Sequence, residues 1–186
     1  VPPLMDFLAG VRGLEGAEQT RLGEHEYLGL PWFTPTVVRA PAEGEAQLNV
    51  VPETASAALD VRTVPGQAHG EIWERLELLA KETQGDAEIE LTLLEDRPWT
   101  ETPKDDPLVT ALARAYQQVL GTPARYGGVP GATDGTFLAA WAGVPIVTVG
   151  PGGREVPHQR DEFVEVADIV KAARLYAAAA VYFFYS

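Results

Sequence analysis

The sequence has 186 residues, with 27 acidic against 14 basic, and no cysteine. Its formal charge of −13 argues against a nucleic-acid or anionic-membrane surface, since both need clustered Lys and Arg. The lack of cysteine removes disulfides, thiol nucleophiles and Cys-ligated metals, and no apolar run reaches the ~18 residues of a membrane span. No basic stretch followed by an apolar one opens the chain, so no signal peptide is expected and the cytoplasm is the expected compartment.

Pro2 and Pro3 suit the first turn of a helix, where a missing N–H costs little. Leu4, Phe7, Leu8, Val11 and Leu14 recur at helical spacing, and Gly13 and Gly16 are expected to end that helix. A polar loop follows from Arg21 to Leu30. Pro31–Ala40 is β-favouring, but Pro35 makes it an edge or bulged strand. Ala55, Ala57, Leu59 and Val61 alternate with polar or smaller neighbours, which marks a half-buried strand closed by Pro65-Gly66. A helix is expected over about Glu71–Gln84, with Ile72, Leu76 and Leu79 inward and Gly85 as its stop. Ala87, Ile89, Leu91 and Leu93 alternate again, which predicts a third strand closing near Arg97-Pro98. Helix, strand, strand, helix, strand is an α+β layer: an antiparallel sheet with two helices on one face. One more strand ahead of the first helix would complete a split βαβ sandwich.

A boundary is expected between Pro98 and Lys104, dividing residues 1–98 from 99–186. Asp106 can cap a helix with Pro107 in its first turn, Leu108, Leu112, Tyr116 and Val119 inward, and Gly121 at its end. The glycine-dense run 127–135 precedes a short helix over Thr136–Ala142. Val144–Val149 is an unbroken apolar run, which predicts a strand buried on both faces. A last helix is expected over Val166–Phe184, with Ile169, Ala173, Tyr176 and Ala180 on its inner stripe.

Two loops stand where a ligand site is expected in such a fold, Gly127–Gly135 before a helix and Gly150–Asp161 after a buried strand. The N–H groups opening the helix at Thr133–Gly135 could hold a carboxylate or a phosphate, although neither GxxxxGK[ST] nor GxGxxG occurs. Of the three histidines, His25 in a polar loop and His69 beside a helix start are expected to be solvated. His158 lies in the second loop just before Asp161 and Glu162, where an imidazole could enter the strand-end crevice as a ligand or base. A Ser/His/Asp triad is disfavoured, because the serines are Ser56, inside a strand, and Ser186, at the chain end.

Four blocks occur in order: Asn49-Val50-Val51-Pro52-Glu53, Leu59-Asp60-Val61-Arg62-Thr63-Val64-Pro65-Gly66, Gly131-Ala132-Thr133-Asp134-Gly135, and Gly150-Pro151 followed by His158 and Asp161-Glu162-Phe163-Val164. The series resembles the carboxyl half of the zinc-dependent aminoacylase family, which includes succinyl-diaminopimelate desuccinylase, acetylornithine deacetylase and carboxypeptidase G-like peptidases. The resemblance implies a lid or dimerisation domain over residues 1–98, lacking its first strand. It implies that 99–186 is the carboxyl-terminal segment of an α/β zinc-hydrolase catalytic domain.

On this resemblance His158 corresponds to the last zinc ligand, with Asp161 or Glu162 orienting it. Arg62 corresponds to the lid arginine that receives the substrate carboxylate; without the resemblance it would read as an ordinary exposed strand residue. Asn49 corresponds to a lid amide near the scissile carbonyl, able to steady an oxyanion. Gly131, Thr133 and Asp134 correspond to a substrate-contacting loop, with Ala132 where the family usually has glycine. The implied cofactor is a pair of zinc ions, or cobalt or manganese. The implied substrate is a small N-acyl amino acid or peptide cleaved at its amide bond, and a homodimer is the implied assembly.

A two-metal centre needs about five or six protein ligands and a carboxylate base. The family's His-x-Asp segment and Glu-Glu pair do not occur in this sequence. The expectation is therefore that this chain alone is inactive and holds no metal tightly. Two other readings remain open: a dimerisation or binding module without chemistry, and a small α/β enzyme built around His158 and Asp134.

Overall fold

In the computed structural model, which describes residues 1–153, 156–157 and 159–185, the chain divides into two compact units. One unit comprises Val1–Trp99 with Pro130–Ala132, and the other comprises Thr100–Val129 with the residues from Thr133 onward.

The first unit contains helix α1 (Pro2–Leu22), strands β1 (Trp32–Arg39) and β2 (Ser56–Arg62), and helix α2 (His69–Thr83). The strands pair antiparallel, and the register slips between Pro35 and Val37. That bulge is the one expected of a proline that cannot donate to a ladder. Phe33, Leu59 and Val61 face the helices and pack with Phe7 and Val11 of α1 and Ile72, Leu76 and Ala80 of α2. Both helices thus cover one face. The other face carries Trp32 opposite Arg62 and Thr34 opposite Asp60, and it stays open.

α1 runs on through Gly13 and Gly16, where its end was expected, and stops at Gly23 with φ 70°. Its last turns are fastened from outside. Glu15 Oε2 accepts from Phe33 N at 2.6 Å and Gln19 Nε2 donates to Pro31 O at 2.8 Å. Buried Glu18 accepts from Arg21 at 2.7 Å, from Gln67 Nε2 at 2.9 Å and from Arg75. Several net hydrogen bonds of about 1 kcal/mol each outweigh two helical glycines at a similar cost apiece. The Arg21 guanidinium beside it, helped by Gln67 and Arg75, holds the Glu18 carboxyl down to about 2 against the opposing effect of burial.

The strand expected over Ala87–Leu93 does not form. Ile89 and Leu91 do pack against the same core, so the alternation is real. Residues 88–98 join no backbone ladder, and the sheet has two strands among the described residues. Alternation reports which side chains are covered; it carries no information on whether a neighbouring backbone is present to pair.

The second unit contains α3 (Pro107–Leu120), α4 (Asp134–Ala142) and α5 (Val166–Phe184). Asp106 caps α3 by accepting from Leu108 N at 2.8 Å, and Gly121 closes it in the left-handed region. α3 and α5 pack through small residues: Ala115 of α3 and Leu175 and Ala179 of α5 form a core, edged by Leu112, Tyr116 and Tyr182. The inner stripe of α5 is therefore Ala172, Leu175 and Ala179. The expected stripe of Ile169, Ala173, Tyr176 and Ala180 is the exposed one. The charges of α5, Asp168, Lys171 and Arg174, lie opposite the expected stripe, so periodicity favoured it; the packing instead follows the small residues, whose alanines allow the closest approach to α3.

Val144–Val149 also forms no strand. Its polar backbone is met partly by side chains. The Thr102 hydroxyl donates to Ile146 O at 2.6 Å and accepts from Ile146 N at 3.0 Å, and Tyr176 Oη donates to Val149 O at 3.0 Å. Nor is the run buried on both faces: Val144, Pro145, Thr148 and Val149 are exposed and Ile146 and Val147 half-buried. An apolar run gives only the capacity for burial, and a ladder also needs a second segment alongside.

Candidate carboxylate-binding site

Arg62 ends β2 on the open face of the sheet. Asp60, two residues earlier, shares that face. Arg62 Nε donates to Asp60 Oδ2 at 2.9 Å, and Nη1 donates to Pro130 O at 2.8 Å. The two side chains are 55% and 43% exposed, so the pair contributes little stability and acts mainly to orient the guanidinium. Nε and one Nη are committed, and the half-exposed side chain keeps further N–H donors of its planar fork, opposite half-exposed Trp32. Such a fork suits the bidentate recognition of a carboxylate.

Of the residues singled out by sequence, Arg62 and the corner at Gly131 are brought together, through the Pro130 carbonyl that precedes the glycine. Asn49 lies in an exposed turn, where Val50 N donates to Gln47 O at 3.3 Å. It makes no hydrogen bond with Arg62 among the described residues. Thr133 and Asp134 belong to the second unit, where they open α4 and are both exposed. Thr133 N donates to Thr136 Oγ1 at 3.1 Å, and Thr136 N to Thr133 O at 2.9 Å, so part of this motif serves the helix start. Gly135 is required by packing, because a Cβ there would lie 2.9 Å from Ile146 Cγ2.

His158 lies outside the described residues. Asp161 is exposed and adopts φ 61°, a region aspartate tolerates better than most residues. Among the described residues, no group of three or more His, Asp or Glu side chains is placed to hold a metal ion. These residues do not themselves make a zinc centre. A hollow of about 620 Å3 runs along α3 in the second unit, lined by residues including Arg114, Gln117, Tyr126 and Tyr182. It contains none of the residues singled out by sequence.

The histidines expected to be solvated are both engaged. His25 Nδ1 accepts from Tyr27 N at 3.2 Å and Leu28 N at 3.3 Å, closing its own turn. His69 is partly buried, with both ring nitrogens hydrogen bonded. Sequence reasoning also left Asp60 without a role. Its signal was available, since a carboxylate two residues from an arginine on one strand shares its face. The Pro130 carbonyl gave no signal at all, being a backbone group 68 residues away.

The first unit thus presents a half-exposed guanidinium on the open face of its two-stranded sheet, within a mixed α/β fold. The chain belongs to peptidase family M20/M25/M40, whose profile matches residues 10–182. It is 28% identical over 176 residues to a succinyl-diaminopimelate desuccinylase of Granulibacter bethesdensis, covering 90% of this chain and 44% of that protein. It is also 28% identical over 156 residues to an acetylornithine deacetylase of Myxococcus xanthus, covering 82% and 39%. Its fold matches an M20 family metallo-carboxypeptidase of Sulfolobus solfataricus, Sso-CP2, with TM-score 0.65 and 19% identity, over 91% of this chain and 42% of that one. The chain thus spans less than half the length of these relatives. No helix among the described residues is long and apolar enough to cross a membrane.

Proposed function

We propose that this chain supplies the carboxylate-recognition half of a metal-dependent hydrolase that cleaves the amide bond of N-acyl amino acids or small peptides. The supporting observation is Arg62, with Nε fixed by Asp60 and the remaining donors free to meet an anionic substrate group. The names of the relatives point to the same chemistry, since desuccinylases and deacetylases of amino acids act on molecules bearing carboxylates.

In this reading Asn49 acts at the scissile carbonyl, and Gly131, Thr133 and Asp134 contact substrate. His158 provides one imidazole to a metal pair whose other ligands are not among the described residues. Zinc, cobalt or manganese would supply an activated water to such a reaction. Residues 1–98 act as the lid and dimerisation domain, and residues 99–186 as the carboxyl-terminal part of the catalytic domain. A homodimer is part of the proposal, and it draws support from a two-stranded sheet whose β1 exposes Val37 and Val38.

The test is turnover of N-succinyl and N-acetyl amino acids by the 186-residue chain with added zinc. The reading expects none, and expects zinc to be lost on dialysis. Robust zinc-dependent turnover by this chain would overturn the assignment of an incomplete centre. Turnover that persists in chelator would instead favour an unrelated site around His158 and Asp134.

A further inference from the structure

One polar cluster in the first unit takes no part in the reading above. Thr63, the residue after Arg62, has its hydroxyl 2.9 Å from His69 Nε2, and His69 Nδ1 lies 2.5 Å from Asp96 Oδ1. The imidazole therefore links three places in the chain: the residue that follows β2, the first turn of α2 and the segment 88–98. Among the described residues that segment has no ladder to hold it. Apart from the core contacts of Ile89 and Leu91, its anchors are Asp96 on His69 and, just beyond, Trp99 Nε1 donating to Gln67 O at 2.8 Å.

The chemistry of the three groups fixes the direction of the hydrogen bonds. A carboxylate only accepts, so Nδ1 carries a proton. In the neutral ring Nε2 is then the acceptor, and the Thr63 hydroxyl donates to it. This is a single chain of donors running from Thr63 through the ring to Asp96, with the tautomer set by its carboxylate end.

We propose that His69 is a positioning residue: with Thr63 and Asp96 it forms a clasp that stands in for backbone pairing beside β2 and fixes the strand end carrying Arg62. The part concerning Arg62 rests on the carboxylate-binding reading above; the clasp itself does not. Removing the ring frees the segment and lets the β2 end fluctuate, so that the guanidinium must be ordered again each time a ligand binds.

Nitrogen NMR of the imidazole in the full chain tests the clasp directly. The expected result is the Nδ1–H tautomer at His69 in the neutral ring, reverting to Nε2–H in Asp96→Ala. The same variant should lower backbone order parameters over residues 88–98 from about 0.85 toward 0.6 or below. An Nε2–H tautomer in the unaltered chain, or unchanged order in Asp96→Ala, overturns the proposal.

The positioning role is read from binding of N-acetyl amino acids. Thr63→Val should weaken it about three- to tenfold, and Thr63→Ser should restore it. If Thr63→Val proves unstable, the His69→Gln variant is measured in the same way. Unaltered affinity in a folded variant would refute positioning. Unaltered affinity in Arg62→Ala would instead refute the carboxylate-binding reading and leave the clasp to be judged by its tautomer.

Discussion

At the scale of single residues, buried Glu18 controls more of the first unit than any motif residue. Its carboxylate gathers Arg21, Gln67 and Arg75, and Gln67 in turn accepts from Val64 N at 2.9 Å, within the turn that follows Arg62. A carboxyl held at about 2 rather than its ordinary value near 4.5 contributes roughly 3 kcal/mol of stability. Because its pKa is lowered on folding, this contribution is complete above about pH 4.5 and disappears as the pH falls through about 2. Glu18→Gln should therefore destabilise the unit by about 2–4 kcal/mol at neutral pH. Its unfolding curve should converge on that of the unaltered protein as acid is added. Chemical denaturation between pH 7 and 2 measures both effects. None of this was legible in the sequence, since Gln67 and Arg75 stand 49 and 57 residues from Glu18 and no local pattern joins them. Arg62 differs, because its neighbours within one block carry the resemblance and its strand supplies the face.

At the scale of elements, what could be read was what local chemistry decides. The Asp106 cap, the Gly121 stop and the bulge at Pro35 follow from groups within a few residues. The two strands expected near residues 87–93 and 144–149 depended on partners elsewhere, and neither segment joins a ladder among the described residues. Helix α4 shows how closely a motif can be tied to packing. Gly135 stands against Ile146, a β-branched residue whose side chain has little freedom to retreat. Gly135→Ala should therefore lower stability by about 1–3 kcal/mol despite alanine's better helix propensity. A melting curve checks this, and an unchanged or raised Tm would show that Ile146 yields. Such a loss would identify the last glycine of the motif as a packing residue, separate from any contact with substrate.

At the scale of the whole molecule, membership in a hydrolase family coexists with described residues that do not assemble a metal centre. The two-stranded sheet leaves strand edges that a second backbone can cover, so association is expected to rise with concentration. Light scattering across a dilution series should show a dimer giving way to monomer, and a monomer at every concentration would remove dimerisation from the proposal. What the chain recognises is tested most directly by a paired titration. An N-acetyl amino acid and the corresponding amide, equal in size and differing in charge, are each added while the Arg62 Nε resonance is followed by NMR. One charge-assisted contact predicts binding of the acid with a dissociation constant of about 10 mM, little or none of the amide, and loss of the difference in Arg62→Ala. Equal affinity for acid and amide in the unaltered chain would contradict the assignment of Arg62 as the carboxylate receptor.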